Sequence, residues 1–441
     1  MALYSPLPHF IPPQSSEAKE SSEGGSSLTT SMVNLSKNII GAGMLSLPFA
    51  MRGAGVVPFL LGITLYGALN AYTFFLLGWC CQVVQASSFG ELWSKTFGAK
   101  SAWVADVAVL LNNGGACLAY CVLMGDFLSK ALAGLLPGVP LLHDRGADLV
   151  LVAAFVLVPL SLLRDLAPLR FGSVAGLGAT LYVFLLLAGD CAANANIFAP
   201  SGPVMKNMLP MRVDFFQALA LFSSAFMAHY NSPKFYSQLQ DNTLPRFAAL
   251  VAGAFGLALA VFAVFGLCGF AVFGFAVEGN VLKNYGGGAE VMLAWLGMAF
   301  SVAFTYPLVF SGFRESFTAL LPRLGFAGAN TDDSKFRVPF TLFAVALTVL
   351  GGTVFSNIAL VNGVKGAILC SVLAFVFPAA IHLKLTDVGG PAEKQSTPMM
   401  RAGSACLILV GLASGLLALL AMFVLPKTDF SALAAETSSA V

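Results

Sequence analysis

The chain has 441 residues, 58% of them hydrophobic and only 10% charged, and its mean hydropathy of +0.84 lies well above that of soluble domains. A formal net charge of +2, with no clustered basic run, argues against nucleic acid or an acidic macromolecule as partner. These numbers describe an integral membrane protein.

Residues 1–30 are rich in Ser, Pro, Gly and Glu and lack the apolar core of a signal peptide, so they are expected to form a disordered cytosolic tail. Eleven apolar segments follow, each close to the roughly 20 residues that span a bilayer as a helix. Their predicted extents are 31–50, 56–84, 102–134, 148–163, 171–192, 214–238, 247–275, 290–318, 336–356, 357–383 and 402–425. They make an all-α polytopic transmembrane domain over 31–425, followed by a short C-terminal tail at 426–441.

The first segment carries Gly41-Ala42-Gly43 in its middle. Backbone that leaves the helix at membrane depth is tolerated only where protein buries it or where it lines a polar cavity. A break and a site within the membrane are therefore expected here. Lys37 stands four positions before Gly41, which on a continuous helix is the same face, and an intramembrane ammonium should have a partner or a task. Snorkelling to the cytosolic interface is the alternative. In the third segment Asp106, Asn113 and Tyr120 recur every seven residues and share a face expected to point into the bundle. Asp106 and Asp126 lie nearer the helix ends, where interfacial solvation is expected.

The fifth segment contains no lysine. The sixth runs Phe222-Ser223-Ser224-Ala225-Phe226-Met227-Ala228-His229-Tyr230-Asn231-Ser232-Pro233, and its Ser, His, Asn and Pro weaken regular helix hydrogen bonding. Segments one and six open two five-helix halves, and interruptions at matching places point to an inverted-repeat transporter site. Two kinked helices packed through small residues are the blander alternative. His229 can titrate near neutral pH and is a candidate proton carrier, or else a packing histidine bonded to a backbone carbonyl. In the tenth segment Lys365 follows Asn362 and Gly363, with salt-bridging, gating, packing and snorkelling roles all open.

Orientation follows from Lys and Arg in the loops: a cytosolic N-terminus places fourteen of them inside and seven outside, so the C-terminus is expected on the outer or lumenal side. All eight cysteines lie in or beside apolar segments, which suits packing better than disulfides or a metal site. No Gly-x-Ser-x-Gly, His-Glu-x-x-His or phosphate-loop pattern occurs, and the four histidines are not spaced as metal ligands, so no enzyme and no cofactor are expected.

The run Asn34-Leu35-Ser36-Lys37-Asn38-Ile39-Ile40-Gly41-Ala42-Gly43-Met44-Leu45-Ser46-Leu47-Pro48-Phe49-Ala50 resembles the amino acid/auxin permeases, a family that includes sodium-coupled neutral and proton-coupled amino acid transporters. Ser88-Phe89-Gly90-Glu91-Leu92, Tyr120 with Gly125-Asp126, His229 with Pro233 and Tyr236, and Thr305-Tyr306-Pro307 extend the likeness. The resemblance implies eleven helices, a five-plus-five inverted repeat with helices one and six interrupted, and cation-driven amino acid transport by alternating access.

A substrate carboxylate and ammonium are each costly in a low-dielectric interior unless a charge or dipole meets them. Free N–H groups at Gly41, Ala42 and Gly43, with Met44 beside them, suit the carboxylate at the start of the following half-helix. Carbonyls around Ser223, Ser224 and Phe226 suit the ammonium, and Tyr120 resembles the family's position near the substrate. A lysine at position 37 resembles the proton-coupled branch, with Asn38 beside it. In the broader fold a sodium site joins carbonyls before the first break to hydroxyls on helix eight, here Ser301 and Thr305. Proton coupling is favoured over sodium. The expected partners are a small amino acid and membrane lipid, in the plasma membrane or a vacuolar or lysosomal membrane, with any protein partner left open. A transport-dead amino acid sensor, and then an ion channel, are the rival classes.

Overall fold

The computed structural model describes residues 25–139, 143–165, 169–194, 199–324, 334–387, 396–426 and 428–438. Most of the expected N-terminal tail, residues 1–24, lies outside the described residues. Segment one consists of α1 (Leu28–Ile39), a 3-10 turn (Ala42–Ser46) and α2 (Leu47–Ala54). Segment two is α3 (Val56–Val84), and a short α4 (Phe89–Phe97) precedes segment three, α5 (Trp103–Leu135). Segment four joins α6 (Arg145–Val152) to α7 (Val158–Ser161) through a π-helical turn at Ala153–Leu157, and segment five is α8 (Leu169–Ala193). A one-turn α9 (Pro203–Lys206) leads to segment six: α10 (Asp214–Ala225), a 3-10 turn (His229–Asn231) and α11 (Ser232–Gln238). Segments seven to nine are α12 (Leu244–Phe273), α13 (Ala289–Leu320) and α14 (Ser334–Val354). Segment ten joins α15 (Ile358–Lys365) to α16 (Phe377–Asp387) through π turns at Gly366–Cys370 and Val372–Val376. Segment eleven is α17 (Pro398–Phe423), and α18 (Ser431–Ser438) follows it.

Among the described residues, eight helices are long and apolar enough to cross a membrane, which makes the chain a multi-pass membrane protein. The expected segments at 31–50, 148–163 and 214–238 are each divided into shorter pieces and fall below that length. Segment two has the bounds expected from the sequence, 56–84. The first helix begins inside the stretch assigned to the tail, because the Ser27 hydroxyl accepts the Thr30 N–H at 3.2 Å and caps it. Segment four starts early for the same kind of reason: Asp144 accepts the Ala147 N–H at 2.8 Å.

Segments one and six repeat one design. Each opens with a 12-residue helix, leaves the helix for two or three residues, makes a 3-10 turn and resumes as α-helix. At 1.5 Å per residue each opening helix is about 18 Å long, which sets both breaks near the middle of an apolar layer about 30 Å thick. The four segments one, two, six and seven pack together: α12 carries both halves of segment one and also α3, and α10 lies against α2 and α3. Phe226, Phe255, Phe247 and Phe74 run through this group, with Phe226 and Phe255 centroids 6.1 Å apart and Phe74 and Phe247 5.9 Å apart. A second group forms around α5 and α13, with α14 and segment four against them.

Arg145 ties that second group at one end. Its guanidinium donates to the carbonyls of Gly352 at 2.5 Å and Val122 at 2.9 Å, and its Nε lies 3.5 Å from Asp126 Oδ1. Asp126 is only 5% exposed and also accepts from Asn280 Nδ2 at 3.2 Å, so a buried pair replaces the interfacial solvation expected from its place in the sequence. At the opposite end Arg314 donates to Ser161 O at 3.1 Å, and Arg337 donates to Leu162 O at 2.7 Å and to Leu163 O.

The end of segment one is locked by the stretch before segment six. Gly55 has φ of 89°, and a Cβ there would lie 2.2 Å from Pro210 O, so this turn requires glycine. Val56 and Val57 donate to the carbonyls of Asn207 at 2.8 Å and Met208 at 3.0 Å. The chain after α17 folds back onto the same end. Phe430 stacks on Phe275 at 6.1 Å, the Arg52 guanidinium sits 4.3 Å from the Phe49 ring and 4.7 Å from Phe430, and Thr428 donates to Asp214 at 2.6 Å.

Candidate functional site

The helix of segment one stops because Ile40 turns to ψ of 98° and Gly41 is fully extended, with φ of −147° and ψ of −161°. Lys37 and Gly41 therefore do not share a helix face: the i, i+4 relation needs a helix that continues through Ile40, and this one does not. Ile40 N–H still bonds Ser36 O at 2.7 Å and Met44 N–H bonds Gly41 O at 3.1 Å. Among the described residues the N–H groups of Gly41, Ala42 and Gly43 between them have no acceptor. They stand at the start of the helical run 42–54, where the backbone dipole is positive.

Segment six presents the complementary groups. Phe226 N–H closes the last turn on Phe222 O at 3.1 Å, and beyond it Ala228 has left the helix with φ of −141°. Among the described residues no backbone N–H reaches the carbonyls of Ser223, Ser224, Ala225 and Phe226. The two breaks meet: a Cβ on Gly43 would lie 3.8 Å from Ala225 Cα, and Asn231 Nδ2 donates to Asn38 Oδ1 at 3.4 Å. A Cβ on Gly41 would meet nothing within 4 Å, so that residue faces open space. A strip of free donors thus stands against a strip of free acceptors. That arrangement suits a zwitterion carrying one carboxylate and one ammonium.

The remaining candidates divide. Met44 is fully buried and supports the turn through its backbone rather than presenting a side chain to the gap. The Phe226 ring packs on Phe262 at 5.1 Å and Phe255 at 6.1 Å, so only its backbone belongs to the break. Ser223 Oγ donates to Leu219 O at 3.1 Å, within its own helix. Tyr120 is half-buried and within electrostatic reach of Tyr230, on the 3-10 turn of segment six. Lys37 is half-buried and makes no ion pair or hydrogen bond among the described residues.

His229 is fully buried and turned toward α3, with Nε2 at 2.9 Å from Thr73 Oγ1 and 3.1 Å from Asn70 O, and its ring sits against Phe74 at 5.8 Å. Ser301 Oγ donates to Gly176 O on α8 at 3.3 Å, and Thr305 Oγ1 to Ser301 O at 2.7 Å. Their hydroxyl protons are engaged by those carbonyls, and no hydrogen bond joins either residue to Lys37 or Asn38 among the described residues.

Sequence reasoning missed Asn231 as the contact to Asn38, although it lies in the polar run that marked the break. It also missed Ser36 and Ser46, whose buried hydroxyls flank the first break and have no partner among the described residues. Glu91, on α4 outside the membrane segments, is held down to about 2 by Lys95 at 2.8 Å and by the Ser87 N–H and hydroxyl at 2.8 and 2.9 Å. It stays ionised at any physiological pH and carries no transported proton.

Beyond Arg52 a polar cavity of about 320 Å³ opens at the end where segment one finishes, lined by Asp126, Glu278, Asn280, Lys283 and Asn357 among others. Its charges are met locally: Lys283 pairs with Glu278 at 3.2 Å, and Arg52 Nη1 donates to Val277 O at 3.0 Å.

The family described as transmembrane amino acid transporter protein matches residues 24–423. The chain is 26% identical over 405 residues to sodium-coupled neutral amino acid transporter 7 of Bos taurus, covering 88% of this chain and 86% of the relative. It is 25% identical over 387 residues to amino acid transporter AVT6E of Arabidopsis thaliana, covering 83% and 78%. Against vacuolar amino acid transporter 2 of Saccharomyces cerevisiae the identity is 24% over 377 residues, covering 82% and 77%. Among solved structures, MhsT in complex with L-phenylalanine superposes with a TM-score of 0.51 at 15% identity, over 89% of this chain and 98% of that one. A Na+-coupled sialic acid symporter in a substrate-bound outward-open state gives 0.53 at 12% identity, over 92% of both chains. These two likenesses are of fold alone, and the fold is that of membrane transporters.

Proposed function

Because the chain belongs to the transmembrane amino acid transporter family, we propose that it is a secondary active amino acid transporter that holds its substrate between the breaks of segments one and six. One observation carries this: the free N–H groups of Gly41, Ala42 and Gly43 stand across from the free carbonyls of Ser223 to Phe226, with Gly43 and Ala225 in near contact. The carboxylate takes the donors and the ammonium takes the acceptors. Rocking of the group formed by segments one, two, six and seven against the group around α5 and α13 then opens the gap to either side in turn. The N-terminus is cytosolic on this reading, which the loop charges support.

Protons rather than sodium drive the cycle. Lys37 is a tethered cation beside the first break, and with no ion pair or hydrogen bond among the described residues it can take the role of a bound ion or exchange a proton. The hydroxyls of Ser301 and Thr305 donate to backbone carbonyls, which leaves their oxygens able to coordinate a cation, so the preference for protons rests on Lys37. Uptake into proteoliposomes should accelerate under an imposed proton gradient with sodium fully replaced, whereas strict sodium dependence contradicts proton coupling. Lys37→Met should lower gradient-driven accumulation by at least about tenfold, equivalent to about 1.4 kcal/mol, while exchange at zero gradient persists. Unchanged accumulation in that variant removes Lys37 from the coupling.

A further inference from the structure

Two half-buried lysines stand within membrane segments, Lys37 and Lys365, and among the described residues no acid pairs with either. Every Asp and Glu in a membrane segment sits toward a segment end. The deepest, Asp126, is already engaged by Arg145 at 3.5 Å and by Asn280 at 3.2 Å. Lys365 forms no ion pair or hydrogen bond among the described residues. An ammonium within a membrane segment is tolerated where something anionic meets it, and none of the described residues does so for Lys365.

Three contacts fix where Lys365 stands. A Cβ on Gly115 of α5 would lie 3.4 Å from its Cγ and Cδ, so its stem crosses that glycine. The next residue, Gly366, abuts Ala220 O, one turn before Ser224 on α10. Cys370, one turn further along segment ten, donates to Asn112 Oδ1 at 3.5 Å and lies within electrostatic reach of Lys365 and hydrogen-bonding reach of Ser224. Lys365 thus ends a helix packed against both α5 and α10, and α10 is the helix whose last carbonyls are assigned to the substrate ammonium. Segment ten widens into π turns at the following residue, a distortion frequent at functional positions.

We propose that Lys365 is the side-chain subsite of this transporter and that its ammonium meets a carboxylate on the substrate's side chain, which makes acidic amino acids the preferred class. The proposal rests on the transporter reading above. The substrate's α-carboxylate and ammonium are held by the two breaks, and the second carboxylate neutralises the Lys365 ammonium. Neutral amino acids of similar size still fit but leave Lys365 unmet.

The test uses the purified full chain and ligand-induced thermal stabilisation, with L-glutamate and L-alanine as probes. In the unaltered protein L-glutamate should act at a concentration at least about tenfold below L-alanine, as one charge-assisted contact provides. Lys365→Met should abolish that preference while the response to L-alanine stays, and Lys365→Arg should keep it. No glutamate preference in the unaltered protein, or equal loss of both responses in Lys365→Met while Lys365→Arg keeps both, overturns the proposal. Counterflow in proteoliposomes separates it from its premise. A Lys365-dependent glutamate response without any counterflow removes the transporter reading and leaves the subsite standing, whereas alanine counterflow without glutamate preference does the reverse.

Discussion

Gly41→Val should reduce amino acid uptake by at least about 100-fold, the loss of roughly two hydrogen bonds to a charged group, with the amount of folded protein in the membrane unchanged. The separation of the two effects comes from the geometry of the residue. Its φ of −147° and ψ of −161° are extended backbone that any residue adopts, so valine brings no strain. Its Cβ would meet nothing within 4 Å, so the added methyls enter open space and crowd only what binds there. Gly41→Ala, with a single methyl, should give a smaller loss of the same kind. Gly43→Val is a less clean variant, because its Cβ already lies 3.8 Å from Ala225 Cα and the γ-methyls would press the two breaks apart. Wild-type uptake in Gly41→Val would remove the first break from the site.

Gly366→Ala should act through the fold instead. A Cβ at this position would lie 1.9 Å from Ala220 O, and that atom is backbone of α10, which cannot rotate away. Segments six and ten must move apart, and overpacking of this kind costs about 1–3 kcal/mol or more. Small residues allow this closeness between membrane helices, where packing rather than apolar burial holds helices together. Thermal unfolding in detergent, followed by the fraction that remains monodisperse, should show a clear fall in midpoint. Gly256→Ala provides the comparison, since a Cβ there meets nothing within 4 Å and the midpoint should hold or rise. An unshifted midpoint in Gly366→Ala would mean that segments six and ten do not pack as closely as described.

Much of the architecture was legible because lipid imposes strict rules on backbone. Apolar runs near 20 residues, glycines at mid-run and a cluster of Ser, His, Asn and Pro are local features, and each maps onto a helix or a break. The two breaks fall where Gly41-Ala42-Gly43 and Phe222 to Pro233 placed them. What the sequence could not give is where side chains point. Phe226 lies at the second break, yet its ring is drawn into the aromatic core by Phe255 and Phe262. His229 carries the right chemistry for a proton carrier but is turned to Asn70 and Thr73 on α3. The helical face shared by Lys37 and Gly41 was a correct rule applied across a point where the helix had already ended. Asp126 looked interfacial because Arg145, its partner, stands nineteen positions later at the start of α6 and is brought to it only by the packing of segment four. The π turns of segments four and ten carry no sequence mark that the apolar pattern reveals.

Counterflow in proteoliposomes containing the purified protein bears most directly on the central claim, that the two breaks hold an amino acid which is carried across. Vesicles preloaded with an unlabelled amino acid should take up its labelled form faster than empty vesicles, with saturation, without added sodium, and with Gly41→Val abolishing the difference. Equal uptake by loaded and empty vesicles across a panel of acidic, neutral and basic amino acids would contradict it.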